Sequence, residues 1–302
     1  MNYRFSGHET FPCRYAWLPK AYRALSLDPS IFQDEDEAMT RLGVGKNMVR
    51  AIRFWIQATG LARPTKSGEL HATALGEAIL SPSGLDPFLE DIRTLWMLHW
   101  VTSTQIDEPL FAWEYMLNRW HHPEVVRSGV IKTFRSEAKR LGRELSDVTL
   151  EQHFDVFLHT YHPTRGRKAD VQEDTLDCPF VELALIERVG ERADAATGKR
   201  EDIFAFRRTE KPEISSGLFI YCLNDYWTKR RSHEQTLTFR DIAVSEGSPG
   251  QIFKLPESDL RERLEKVEQD SAGVLKYRES TSLRQLIRKD ATPKDLLAAV
   301  YQ

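Results

Sequence analysis

Cysteine is scarce and scattered in this sequence. Cys13, Cys178 and Cys222 stand far apart with no CxxC spacing, which excludes a zinc knuckle, an iron-sulfur cluster and a disulfide framework and fits a reducing compartment. Long apolar runs are lacking too. No stretch approaches the roughly 20 residues that a bilayer-crossing helix needs, and the opening MNYRFSGHETFPCRY lacks the basic-then-apolar order of a secretion signal. The chain is therefore expected in the cytoplasm, without membrane contact. Nor is there an excess of positive charge: a formal charge of -3 excludes a histone-like polybasic binder, so any affinity for nucleic acid must be local. Catalytic signatures are missing as well, with no HExxH, no nucleophile elbow, no dinucleotide glycine fingerprint and no nuclease signature with acids and lysine in order. Core-forming residues are plentiful. Hydrophobic residues make up 41% of 302 positions, with seven Trp and fifteen Phe, enough for two or three small folded units.

The stretch RLGVGKNMVRAIRFWIQATGL, residues 41 to 61, sets two glycines before a lysine, as a phosphate-binding loop does. That loop requires Gly, four residues, Gly, Lys and then Ser or Thr. Here Thr40 holds the first position and Asn47 the last, and the preceding QDEDEAM is acidic and helix-forming where a buried strand should feed the loop. Helical spacing explains the stretch better. Val49, Ile52 and Ile56 fall on one side, while Lys46, Arg50, Arg53 and Gln57 recur at i, i+4, i+7 and i+11 on another. From Val44 to Gly68 the chain carries Lys46, Arg50, Arg53, Arg63 and Lys66 with no acid, the footprint expected of a nucleic-acid contact. The surroundings read as a winged helix-turn-helix: DEDEAMTRLG as a first helix, Gly43 to Gly45 as the turn, Lys46 to Thr59 as the recognition helix, and LARPTKSGELH as two short strands around a wing. Thr73 is placed to cap the helix that follows. Lys46, Asn47, Arg50, Arg53 and Lys66 are the expected DNA-binding residues, with double-stranded DNA as partner. The alternative is a winged helix that serves only as a protein-protein module.

The fold class expected is mainly α with small β wings. Residues 1-84 hold the opening motif and the winged helix-turn-helix. Residues 85-210 form a helical middle region, in which Leu89, Ile92, Trp96 and Trp100 share a core-facing side, with a small hairpin after an exposed loop at YHPTRGRKADVQEDTLDCP. Residues 211-302 form a C-terminal helical module whose order of helix, Gly-rich turn and helix suits either a second helix-turn-helix or a small bundle. The tail TPKDLLAAVYQ, with Thr292 as a cap and Pro293 in the first turn, reads as a final docking helix.

Three polar clusters carry residues fit for chemistry. FSGHETFPCR packs His8 and Glu9 between aromatics, a pair able to bind metal or move protons, or to pin the N-terminus in a hydrogen-bond knot. DPFLED brings Asp86, Glu90 and Asp91 around a helix start, with His99 two turns on. Those acids are candidate ligands for a divalent cation that supports phosphodiester chemistry, although acids also favour helix starts for electrostatic reasons alone. HFDVFLHTYH sets Asp155 and His159 at a chelating i, i+4 spacing that is common by chance.

The strings FSGHETFPCRYAWLPKAY, LGVGKNMVRAIRFWIQATGL, LGEAIL with DPFLEDIRTLWMLHW, and GSPGQIFKL run in order from residue 5 to about residue 255. They resemble the successive blocks of a bacterial domain-of-unknown-function family that includes SspB, the DNA-nicking protein of the Ssp phosphorothioation system. The resemblance implies a nicking endonuclease in a bacterial defence system, supporting replacement of a backbone oxygen by sulfur with Mg or Mn as cation. It also implies a cysteine desulfurase, an ATPase and an adenylyl-sulfate-reductase-like protein as partners, and admits a homodimer. The candidate catalytic residues under this reading are His8, Glu9, Asp86, Glu90, Asp91 and His99, with the metal on Asp86, Glu90 and Asp91. The rival reading is a non-catalytic winged-helix adaptor or regulator.

Overall fold

Asp34 opens a helix for a reason written in its neighbours. Its carboxylate accepts the backbone N–H groups of Asp36 and Glu37, donors that a helix start otherwise leaves orphaned, and the acids of that turn suit the positive end of the helix. The structure is a computed structural model in which residues 2-163, 178-193, 198-280, 283-289 and 296-302 are described. In it, α1 (Trp17–Leu27) precedes this helix, α2 (Glu35–Leu42). Gly43 ends α2 at φ 65, in the left-handed region, with its N–H on the Met39 carbonyl. Only glycine adopts that conformation freely, so the chain turns here into α3 (Lys46–Ala58). An antiparallel hairpin follows, β1 (Ala62–Pro64) with β2 (Leu70–Ala72). Thr73 then caps α4 (Ala74–Leu80) by accepting the Gly76 N–H.

The buried side of α3 is wider than its apolar stripe implies, taking in Val49, Ala51, Ile52, Phe54, Trp55, Ile56 and Ala58. The opening motif supplies the extra cover. The Trp55 indole N–H donates to the Phe11 carbonyl at 2.9 Å, the Arg4 guanidinium lies 4.6 Å from the Phe54 ring centre, and Gly7, at φ 109, lies so near that a Cβ there would stand 2.9 Å from the same ring.

The middle of the chain is helical: α5 (Ile92–Ser103), α6 (Phe111–Asn118), α7 (Arg127–Arg140) and α8 (Asp147–Tyr161). A 3-10 turn (Pro179–Leu183) leads into β4 (Ile186–Ala193) and β5 (Arg200–Phe206). The expected hairpin is therefore present, but β5 also pairs with β3 (Val125–Val126), giving the antiparallel order β3-β5-β4. Aromatic contacts bind these helices to α3, with Trp55 on Trp113 at 5.8 Å and Trp113 on Phe157 at 5.2 Å. Burial of side chains this large contributes about 1.5–3 kcal/mol each.

The last region comprises α9 (Ser216–Arg230), β6 (Thr236–Thr238), α10 (Phe239–Val244), α11 (Pro249–Ile252), α12 (Glu257–Asp270), β7 (Leu275–Glu279), β8 (Arg284–Arg288) and α13 (Leu296–Ala299). Its strands form an antiparallel sheet in the order β6-β8-β7. The protein is thus mainly helical with small antiparallel sheets. The loop expected around residues 164-177, the hairpin tip at 194-197 and the Thr292 cap with Pro293 lie outside the described residues.

The GSPGQIFKL string clasps the end of α6. Gly247 N–H donates to the Asn118 side-chain oxygen at 2.8 Å, and the Gln251 amide donates to the carbonyls of Leu117 and Asn118. The Lys254 ammonium donates to the Leu117 carbonyl as well. The last carbonyls of a helix have no partner of their own and carry partial negative charge, so this string completes α6 and joins the middle of the chain to the C-terminal region.

Candidate nucleic-acid interface

Lys46 begins α3, where the helix dipole is positive, with no acid in that first turn. A cation there is locally unfavourable, and the structure answers it from outside the helix. Glu35, in the first turn of α2, lies 2.6 Å from the Lys46 ammonium and 2.7 Å from the Arg50 guanidinium. Its hydrogen bonds to Arg50, and then to Lys46, bring its pKa down to about 2. The run from Val44 to Gly68, free of acids in sequence, thus has an acid in space. A second carboxylate, Glu9, also bears on Arg50 and, after Glu35, helps raise its pKa.

Lys46, Asn47 and Arg50 are exposed, whereas Arg53 and Gln57 are half-buried. Arg53 turns inward toward the Phe32 carbonyl at 3.5 Å, and Gln57 donates to the Arg53 carbonyl. Only the first two turns of the basic stripe therefore meet solvent. Arg63 and Lys66 are exposed on the adjoining hairpin, whose tip is anchored by the Gln33 amide on the Ser67 carbonyl at 3.2 Å.

His8 and Glu9 part company. His8 is buried, and its ring lies 5.3 Å from that of His153, nearly parallel. His8 Nε2 meets His153 Nδ1 at 3.0 Å, while His153 Nε2 accepts the Ala112 N–H at 3.0 Å. Burial, followed by the Arg4 charge, lowers the His8 pKa to about 4, and burial pushes His153 well down. The pair is a neutral knot that fixes the N-terminus to α6 and α8. Glu9 and Thr10 take left-handed φ of 51 and 67, conformations that cost non-glycine residues energy and that carry Glu9 toward α3.

The acids of DPFLED do not converge on a metal. Asp86 is buried, and its two oxygens accept the N–H groups of Glu90 at 2.9 Å and Asp91 at 3.0 Å. Asp91 caps α5 through the Arg93 N–H and pairs with the Arg93 guanidinium at 2.7 Å. Glu90 is exposed. His99 is sealed in the core, with Nδ1 2.7 Å from the Tyr161 hydroxyl and Nε2 3.3 Å from the Ile252 carbonyl, and burial lowers its pKa to about 3. Among the described residues, no group of three or more His, Cys, Asp or Glu is placed to hold a metal ion. The cation expected on Asp86, Glu90 and Asp91 therefore does not fit: two of the three are committed to backbone donors. Asp155 is likewise committed, to Arg127 at 2.9 Å, beside a cavity of about 1010 Å³ that His159 also lines.

Glu35 is the participant that pattern reading passes over. It stands on the preceding helix, eleven residues before Lys46, so no period within α3 announces it.

The family comparison covers residues 5–301, the whole span from the opening motif to the last helix. The chain belongs to the DUF4007 family, described as proteins of unknown function. No curated protein matches it. Among solved structures, a magnesium-ion-bound SspB is similar with a TM-score of 0.83 and 26% identity, covering 99% of this chain and 87% of the other. A second SspB structure is similar at 0.82 and 25%, with the same coverage. This DUF4007 chain thus shares its fold with SspB over nearly its full length. Among the described residues, no helix is long and apolar enough to cross a membrane.

Proposed function

We propose that this protein is a DNA-binding component of a phosphorothioate modification system. It grips duplex DNA with a winged helix-turn-helix formed by α2, α3 and the β1-β2 hairpin. The observation that carries this reading is the exposed start of α3, where Lys46, Asn47 and Arg50 face solvent beside Arg63 and Lys66. A cation at the positive end of a helix works against the fold and in favour of a bound anion, and local rules are broken most often where a ligand is met. The cations serve phosphates. The Asn47 side chain, which makes no hydrogen bond among the described residues, is free to read a base edge. The phosphorothioation role rests on the likeness to SspB, with a cysteine desulfurase, an ATPase and an adenylyl-sulfate-reductase-like protein supplying sulfur and ATP chemistry.

Strand nicking is the finer part of the proposal. Its support is the same likeness, which includes a relative with magnesium bound. The rival, a DNA-binding adaptor that does not cut, is favoured by the missing metal cluster among the described residues. Conversion of supercoiled plasmid to open circle separates them, with magnesium or manganese present and EDTA as control. Nicking that EDTA abolishes supports the nickase. Salt-sensitive DNA binding without nicking supports the adaptor, and no binding at low salt sinks the DNA-binding reading itself.

A further inference from the structure

The segment from Arg127 to Arg143 carries Arg127, Lys132, Arg135, Lys139, Arg140 and Arg143 against Glu137 alone, a dense positive run in a chain whose net charge is -3. Its helix, α7, has its rotation fixed by Val130, Ile131, Phe134 and Ala138, which are buried. Phe134 stacks edge-on against Phe111 at 4.9 Å. Lys132, Arg135, Lys139 and Arg140 consequently face solvent. Gly142, at φ 70, ends the helix and folds Arg143 back beside Lys139. Together with Arg135 and Glu144 they line a groove of about 420 Å³.

The pairing of these cations is as informative as their number. Arg135 is held by Asp147 at 2.8 Å and Arg140 by Glu137 at 2.7 Å. Arg143 reaches the neutral amide oxygen of Asn2 at 2.7 Å. Lys132 and Lys139 have no ion pair among the described residues. Three cations on this surface therefore lack a carboxylate partner, whereas Lys46 and Arg50 on α3 share Glu35. By this measure α7 offers the more available positive surface.

We infer that the outer face of α7 is a second contact for the DNA backbone, independent of α3. This rests on the DNA-binding reading above. Lys132 and Lys139 stand about 10 Å apart along the helix at 1.5 Å per residue, a length of duplex axis over which one strand, at about 3.4 Å of axis per phosphate, presents about three charges. The exposed positions between them are polar, with Ser136 and no large apolar residue. Protein interfaces are depleted of charge and enriched in aromatic side chains at their centre, whereas a phosphate backbone requires only the cations.

The test uses the full-length protein and fluorescence anisotropy of a labelled duplex, titrated between about 50 and 200 mM salt. The Lys132→Ala/Lys139→Ala/Arg143→Ala protein is compared with Lys46→Ala/Arg50→Ala and with the charge-preserving Lys132→Arg/Lys139→Arg. Loss of the α7 cations is expected to weaken binding about tenfold or more and to reduce the slope of log affinity against log salt by about 2–3, while the arginine variant keeps both. Unchanged slope and affinity in the triple variant, with the α3 variant impaired, would overturn the α7 contact and leave the DNA-binding reading intact. The arginine variant failing alongside the alanines would also overturn it. A wild-type protein that binds no duplex removes the reading on which it rests.

Discussion

Glu35 lies 2.6 and 2.7 Å from Lys46 and Arg50, so α3 offers DNA a surface already partly neutralised. Lys46 and Arg50 are exposed and Glu35 is half-buried, and ion pairs this near the surface stabilise a fold very little. The Glu35→Gln protein is therefore expected to melt within about a degree of wild type. It should nonetheless bind duplex DNA several-fold more tightly at low salt, because two cations are released and one repulsive charge is removed. Anisotropy against a labelled duplex reads this directly, and equal or weaker binding would show that α3 does not face phosphate. Single residues also mark where sequence reading fails. His8 and Glu9 are adjacent in the chain, but the imidazole turns inward to His153 while Glu9 stays half-exposed with its charge bearing on Arg50, because Glu9 and Thr10 adopt left-handed backbone that no periodicity announces.

Elements that rest on local chemistry were legible from the sequence, and those that rest on distant pairing were not. Gly43 turns the chain and Thr73 caps its helix as their residue types dictate, and α3 starts where its pattern starts. By contrast, β3 is two residues long and exists only because Val125 and Val126 pair with Phe204 and Ile203. The same limit applies to DPFLED. Three acids at a helix start suit a metal and a turn equally well, and in the folded chain Asp86 closes a turn around Leu89, which sits at φ 59. Asp86→Ala is accordingly expected to lower stability by about 1–3 kcal/mol, since the turn loses both hydrogen bonds of a buried carboxylate. Urea unfolding measures this. A variant as stable as wild type would return Asp86 to the candidates for cation binding.

Across the whole molecule, buried bases govern the response to pH. The folded pKa values of His8 and His99 are about 4 and 3, against the ordinary 6.5, and His153 is also lowered. The unfolded chain thus binds protons that the folded chain refuses. Stability from these groups is fully present above about pH 6.5 and is lost as pH falls toward 4. Lys254, lowered to about 7 from 10.5 by burial and then by Arg208, acts in the same direction at higher pH: its burial costs most at and below pH 7, and the cost fades as pH rises toward 10.5. Melting temperature is therefore expected to drop between pH 6.5 and 4.5. The gain on Lys254→Met should be larger at pH 7 than at pH 10, and a gain independent of pH would mean that the ammonium is not the cause.

The knot between His8 and His153 spans 145 residues of sequence, and Arg4 forms a parallel bridge with Leu110. Synthesis proceeds at about 5–20 residues per second, so on the order of ten seconds separates the two ends of that knot as they leave the ribosome. Through that interval the opening motif that covers the Phe54 face of α3 lacks its anchor on α8. The flank of α3 is then among the last surfaces to be anchored, and a nascent chain halted before α8 lacks the imidazole that pins His8, the neighbour of Glu9.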